Sequence, residues 1–212
     1  MRMMSVMSTP LRSFARRVRA PLLATLGVAL LSACVSFGAK PPPFLLTLDA
    51  DAAPPAGAAR TATEAATLTI LIPTAPQKLR TTRIPVQQDG SSVAYVKDAQ
   101  WVEAPQRLFQ RLISETVAAR SGRVVLDEGQ YLTAPGEQLA GQLMEFGVDA
   151  RTGEAVVVYQ AMLVAAGGKS VTQRRFEARE NLGGVVEAKP VGEALTRAAN
   201  KVAVDVAEWL GG

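Results

Sequence analysis

The chain has 212 residues, room for one ordinary domain with additional segments, and carries a formal net charge of +4 at pH 7. It contains no histidine, which excludes Ser-His-Asp and Cys-His nucleophilic systems and any His-ligated metal site. Its one cysteine excludes an internal disulfide and a Cys-rich zinc site. We therefore predict a protein that is not an enzyme and that needs no metal or other cofactor.

The basic character of the chain comes from its first 33 residues. That segment carries no acidic residue and contains five of the 23 lysines and arginines, namely Arg2, Arg12, Arg16, Arg17 and Arg19. The remaining residues contain 18 basic and 19 acidic side chains, a net charge near −1. The pI near 9.5 thus reflects a targeting segment, and we predict no nucleic-acid partner.

Residues 1–33 have the features of a bacterial lipoprotein signal peptide. An arginine-rich start precedes an apolar run of eleven residues, 21–31, which is shorter than the roughly 20 residues of a membrane-spanning helix. Leu31-Ser32-Ala33-Cys34 then matches a lipobox, in which the peptidase cuts before a lipid-modified cysteine. The alternatives are an ordinary secretory signal with a chance cysteine, or a short uncleaved anchor.

The lipobox predicts that Cys34 becomes the lipidated first residue of the mature protein. Several acyl chains at this site would anchor it stably, since one chain alone gives marginal membrane binding. Residues 34–43 include three consecutive prolines and predict a stiff tether. Residue 35 is valine rather than the aspartate that favours inner-membrane retention, so we predict an outer-membrane protein that faces the periplasm.

Residues 44–212 are predicted to form a single domain that begins with short strands. An apolar run at 44–48 is a candidate first strand, and residues 49–66, rich in Ala, Pro and Thr, predict a flexible loop. A strand is expected at 67–72, ending at Pro73. The Asp89-Gly90 dipeptide then predicts a hairpin between extended runs at 83–88 and 92–97.

The strongest helix signal follows Trp101. Residues 104–120 have Pro105 in the first turn, Gly122 just past the end, and one apolar stripe made of Leu108, Phe109, Leu112, Ile113 and Val117. Trp101 lies at the strand-to-helix junction, where it could be a core residue or an exposed contact for a partner. A short strand is expected at 123–126.

The last third of the chain predicts an antiparallel meander and a second helix. Extended runs at 138–149, 154–165 and 169–182 are separated by turn sequences that contain glycine. An amphipathic helix is then expected at 191–210. The predicted fold class is α+β: two layers, with a mostly antiparallel sheet and both amphipathic helices packed on one of its faces.

Two charged groups could carry chemistry, but each has a simpler interpretation. The third run of the meander contains Lys169, Arg174, Arg175 and Arg179 interleaved with acidic residues; this is typical of a solvated strand face, with an acidic partner or a lipid headgroup as the alternative. Asp127-Glu128 stands beside Gly129 and indicates a turn rather than a catalytic carboxylate pair.

Several of these segments together resemble a known family. The lipobox, the runs at 44–48 and 67–72, the stretch Leu79–Ile84 and above all Ala94–Pro105 leading into the helix are similar to the ABC-type transport auxiliary lipoproteins of the PqiC-like group. The family's usual Trp-Ala-Glu-Pro order is altered here to Trp101-Val-Glu-Ala-Pro105. Within these motifs we predict that Trp101, Tyr95 and Arg83 bind a partner.

The resemblance implies a non-enzymatic role in lipid transport. It implies an outer-membrane lipoprotein that docks an MCE-domain protein and, through it, an ABC permease and ATPase complex. The chain itself has no phosphate-binding loop sequence of the Gly-x-x-x-x-Gly-Lys-Ser/Thr type. Two alternatives stay open: a lipoprotein whose own domain carries a lipid, and a structural lipoprotein of envelope assembly.

Overall fold

The computed structural model describes residues 44–63, 66–130 and 136–211. The signal peptide, Cys34 and the predicted tether lie outside the described residues, so their assignment stays a prediction. The strands are β1 Leu68–Ile70, β2 Arg83–Gln87, β3 Val93–Gln100, β4 Val125–Asp127, β5 Glu137–Asp149, β6 Glu154–Val164 and β7 Val171–Asn181. The helices are α1 Pro105–Ser121 and α2 Ala188–Gly211, with 3-10 turns at Gln77–Leu79 and Ala166–Gly168.

The strands form one mixed seven-stranded sheet that is organised around β5. One edge of β5 pairs with β6 in antiparallel register from Gln138 to Asp149, and β6 pairs with β7 in the same way. The other edge of β5 is shared. Its first residues pair in parallel with β1, which also pairs with β4, and its last two pair in parallel with β2, which forms the hairpin with β3.

The predicted α+β fold with two helices is confirmed. The long strand pairs are antiparallel, as the meander pattern predicts, and the parallel pairs involve only two or three residues each. Helix α1 has Pro105 in its first turn and ends at Gly122, whose φ of 67° is the left-handed conformation that glycine adopts without strain. All five residues of its predicted apolar stripe are buried.

The hydrophobic core lies between one face of the sheet and the two helices. Helix α1 contacts β1 and β4, helix α2 contacts β6 and β7, and the two helices pack on each other. Phe109 is the centre of an aromatic cluster, with edge-on contacts to Phe146 and Tyr159 at centroid distances of 6.2 and 5.3 Å. The Tyr159 hydroxyl donates a hydrogen bond to the Ala140 carbonyl at 2.8 Å, so its buried polar end is satisfied.

The first described segment is fixed to the sheet and to α2. The Leu46 N–H donates to the Gln100 carbonyl, and the Val102 N–H donates to the Leu46 carbonyl, both at 2.8 Å. The buried Asn200 amide of α2 accepts from the Asp51 N–H and donates to the Asp49 carbonyl, both at 2.9 Å. The first described residues therefore lie beside the end of β3 and against α2.

Candidate docking surface

The face of the sheet that does not carry the helices is covered by charged side chains. Along β6, Val157 and Tyr159 belong to the core, whereas Val156 and Val158 alternate with them and point to the opposite face. Both valines are nevertheless buried, at 6% and 2% exposure. Their cross-strand neighbours on β7 are Arg179 and Glu177, whose long side chains cover them.

These side chains form a network that we call the charged face, made of Asp149, Arg151, Glu154, Arg175, Glu177 and Arg179. Arg179 lies 2.9 Å from Glu177, 3.3 Å from Glu154 and 3.8 Å from Asp149. Hydrogen bonds from Arg179 hold the pKa of Glu177 below its usual value, and those from Arg151 do the same for the pKa of Asp149. Both carboxylates therefore stay ionised at neutral pH.

A pocket of about 360 Å³ opens beside the charged face, where β5 ends next to the β2–β3 hairpin. Its floor includes Pro85, Gly147 and Val156, and its walls include Lys78, Glu145 and Arg151. Lys78 Nζ lies 2.6 Å from Glu145 Oε2 and 3.3 Å from Gln87 Oε1. Because Lys78 pairs with Glu145 and Arg151 pairs with Asp149, the pocket is polar and locally neutral.

Gly147 gives the pocket its shape because it has no side chain. A Cβ atom at this position would lie 2.4 Å from the Pro85 carbonyl oxygen and 2.8 Å from Pro85 Cγ. The backbones of β2 and β5 can approach only with glycine here. This approach brings the hairpin that carries Arg83 and Tyr95 against the charged face.

Arg83 and Tyr95, two of the three residues that the sequence predicts to bind a partner, lie together. The Arg83 guanidinium stacks 4.0 Å from the centroid of the Tyr95 ring. Arg83 is exposed and Tyr95 is half-buried. Tyr95 pairs with Pro85, which lines the pocket, so the pair borders the charged face.

Trp101, the third residue, lies in the core. It is 1% exposed and packs edge-on against Phe146 at a centroid distance of 5.6 Å. Its indole Nε1 is buried without a hydrogen-bond partner among the described residues. Of the two interpretations that the sequence allowed, the structure shows the core residue; the indole positions the β3–α1 junction and does not present itself to a partner.

The basic segment of β7 is largely neutralised by neighbouring acids. Glu180 forms ion pairs with Lys201 and, at 3.2 Å, with Arg197, both from α2. Arg174 lies 5.2 Å from the centroid of the Phe176 ring. These contacts match the interpretation of a solvated charged strand.

Asp127 also has a structural role. It accepts hydrogen bonds from Gln110 Nε2 at 2.8 Å and from Ser114 Oγ at 3.3 Å. These hydrogen bonds connect β4 to α1. The Asp127 carboxylate therefore has a structural role and is not one half of a catalytic pair. Across the described ranges, no group of three or more acidic, Cys or His side chains is placed to hold a metal ion.

The sequence alone did not reveal the pocket. Lys78, Pro85, Glu145, Asp149 and Arg179 come from four different elements and show no local motif. The only available signal was Gly147, a glycine inside a predicted strand, which indicates close approach of another backbone.

None of the helices that the structure describes is both long and apolar enough to cross a membrane.

The ionised carboxylates predict a pH dependence of stability. The folded pKa values of Asp149, Glu177 and Glu180 lie below their ordinary values, so these groups stabilise the fold above the unfolded carboxyl pKa, near 4. That contribution should be lost as the pH falls from about 5 through the folded values. We expect Glu177→Gln to flatten the dependence of the unfolding free energy on pH between about pH 5 and 3. Urea titrations at several pH values measure the unfolding free energy. A pH dependence that is unchanged in the variant would contradict the network.

The described residues form a mixed sheet with both helices on one face and a network of ion pairs on the other. The chain belongs to the ABC-type transport auxiliary lipoprotein family, whose model matches residues 46–207. This is a family of transport components and not of known enzymes. No curated protein matches the sequence.

Two solved structures have a similar fold. One is a protein from Xanthomonas campestris, 17% identical, with a TM-score of 0.59 over 79% of this chain and 93% of that chain. The other is an uncharacterized protein, 12% identical, with a TM-score of 0.59 over 68% of this chain and 92% of that chain. At these identities the similarity concerns the fold alone.

Proposed function

We propose that the protein is an outer-membrane lipoprotein that faces the periplasm and docks an MCE-domain protein of an ABC-type lipid transport system. The observation that carries the proposal is the family match over residues 46–207. The lipobox at Cys34 supplies the anchor, and the permease and ATPase complex is reached indirectly through the MCE partner. A lipid anchor raises the effective concentration of the domain near a partner that spans the envelope.

The docking surface in this proposal is the Arg83–Tyr95 pair with the adjoining charged face. Arginine and tyrosine are enriched among residues that dominate binding energy, because each combines a large apolar contact with a directed polar group. The stacked pair is also held in place before binding, which lowers the entropy lost on association. The neighbouring neutral network provides a polar rim.

The structure of the core favours this role over the alternative of a lipid carrier. Carrying a lipid requires an apolar cavity between sheet and helices, yet the facing residues Phe146, Tyr159, Leu195 and Val202 are packed at no more than 1% exposure. The pocket of about 360 Å³ lies on the opposite face, and half of the residues that line it are charged. The third alternative, a structural lipoprotein of envelope assembly, predicts no binding to a transport partner.

Substitution of Arg83 tests the docking surface. We expect Arg83→Ala to weaken binding to the immobilised periplasmic region of the MCE partner about tenfold or more, since loss of a central arginine costs on the order of 2 kcal/mol. Surface plasmon resonance with the full chain in detergent measures the affinity.

The matched control for this experiment is Arg174→Ala. Arg174 also lies over an aromatic ring, that of Phe176, but on β7 at the far side of the sheet. We expect the control to bind like the unsubstituted protein. Equal affinity of the Arg83 and Arg174 variants would place the docking surface elsewhere.

A further inference from the structure

The edge of the domain where the chain enters carries exposed apolar side chains. Phe44, Leu45 and Val102 are 47%, 52% and 48% exposed. The hydrogen bonds of Leu46 to Gln100 and Val102 place the 44–46 segment directly beside residues 100–102. Since side chains alternate along extended segments, Leu46 and Trp101 point inward and Leu45 and Val102 point outward. Phe44 lies in a bend before this segment and is exposed there. We call Phe44, Leu45 and Val102 the apolar edge.

The segment that carries the apolar edge packs on α2. The Leu46 side chain packs on α2 at Gly192, where a Cβ atom would lie 2.8 Å from Leu46 Cδ2. The Asn200 amide binds the backbone of residues 49 and 51 just downstream. Leu45 and Phe44 are therefore carried by a segment that is hydrogen-bonded to the sheet at Leu46 and packed on α2.

The position of Cys34 indicates what covers this edge. Phe44 lies ten positions after Cys34, with nine residues between them. Even when fully extended, such a segment reaches only about 35 Å. The apolar edge is where this segment joins the domain, so a lipid on Cys34 would hold this edge within about 35 Å of the bilayer.

We propose that the apolar edge rests on the lipid surface, with Phe44, Leu45 and Val102 inserted at the boundary between headgroups and acyl chains. The inference rests on the lipid anchor of the proposed function. Three side chains are too few to bind a membrane alone, but a tethered domain needs only a weak additional contact to be oriented. In this contact the sheet would be perpendicular to the membrane. The charged face would then point along the membrane plane, toward a partner.

The opposite side of the sheet provides a matched control position. Val171, at the start of β7, is 55% exposed, which is close to the exposure of the three apolar edge residues. Five strand spacings, from the 44–46 segment through β3, β2, β5 and β6 to β7, put it about 24 Å away across the sheet. In the proposed orientation, Val171 does not contact lipid.

The test uses the full lipidated chain in vesicles of phosphatidylethanolamine and phosphatidylglycerol. Leu45→Cys and Val171→Cys variants each carry an environment-sensitive fluorophore on the new thiol, and a fraction of the lipids carries doxyl quenchers. We expect a several-fold rise in emission and strong quenching for the label at 45, and neither for the label at 171.

The possible outcomes distinguish a failure of the proposed lipid contact from a failure of the lipid anchor. If the protein floats with the vesicles but both labels behave alike, the apolar edge does not contact lipid and the inference is wrong while the anchor stands. If the protein does not float with the vesicles, the anchor itself is wrong and the inference falls with it. Flotation with lipid contact at position 45 alone supports both.

Discussion

Replacing Cys34 with alanine is expected to release the protein from the membrane completely. The chain has no other cysteine, and none of the described helices could hold it in a bilayer in place of the lipid. The apolar edge offers only three side chains, too few for stable attachment without acyl chains. Fractionation of cells that express the variant, together with metabolic labelling by a fatty acid, measures both losses.

The unsubstituted protein and a Val35→Ala variant are the controls for this experiment. Both keep the lipobox and should incorporate label and sediment with membranes. A Cys34→Ala protein that still incorporates the fatty acid would contradict lipidation at this position. A variant that loses the label but stays in the membrane fraction would contradict the lipid as the means of attachment.

Replacing Trp101 with alanine is expected to cause the second large effect, a loss of about 3–5 kcal/mol in the free energy of unfolding. The indole fills the junction of β3 and α1 and packs on Phe146 at a centroid distance of 5.6 Å, so its removal leaves a cavity that the rigid sheet cannot close. For a chain of this size, the melting midpoint should fall on the order of 10 °C. Thermal unfolding followed by circular dichroism measures it.

A Trp101→Phe variant separates packing from hydrogen bonding. Because Nε1 has no partner among the described residues, phenylalanine loses ring volume but no hydrogen bond, and should be clearly more stable than the alanine variant. Equal destabilisation by both substitutions would contradict the cavity explanation. A folded Trp101→Phe protein should also bind the transport partner normally, since the indole is buried.

Hydrophobic periodicity explains why the helices and the meander are predictable from the sequence. The period-3.6 stripe of α1 and the alternation of β7 arise from burial on one face, whereas the continuous apolar run of β6 arises from burial on both faces. The helix boundary at Gly122 is also visible in the sequence, because the left-handed φ at a helix end favours glycine. These local signals agree with the tertiary structure.

The parallel pairs of β1, β2 and β4 are not predictable in this way. They involve two or three residues each and join segments far apart in the chain, such as Leu68 with Val125 and with Glu137. Their register depends on contacts elsewhere in the core, above all on how β5 shares one edge between two short groups of strands. A short apolar run such as 67–72 carries no information about its partner.

The candidate site shows the same difference between features with a local sequence signal and features that depend on the assembled sheet. Arg83 and Tyr95 were predicted from two separate motifs of the family resemblance, and the hairpin brings the Arg83 guanidinium to 4.0 Å from the centroid of the Tyr95 ring. The ion pairs of Arg179 with Asp149 and Glu154, by contrast, arise only when β5, β6 and β7 are assembled. The predicted flexible loop at 49–66 stays a prediction, although Asn200, 149 residues beyond Asp51, binds the backbone at its start.

Co-purification from native membranes tests the central claim most directly. The full lipidated chain with a C-terminal tag is extracted in mild detergent, and the proteins bound to it are identified by mass spectrometry beside those bound to an Arg83→Ala variant. We predict that an MCE-domain protein co-purifies with the unsubstituted chain and is depleted from the variant. Recovery of the lipidated, folded chain without an MCE-domain protein would contradict the docking role.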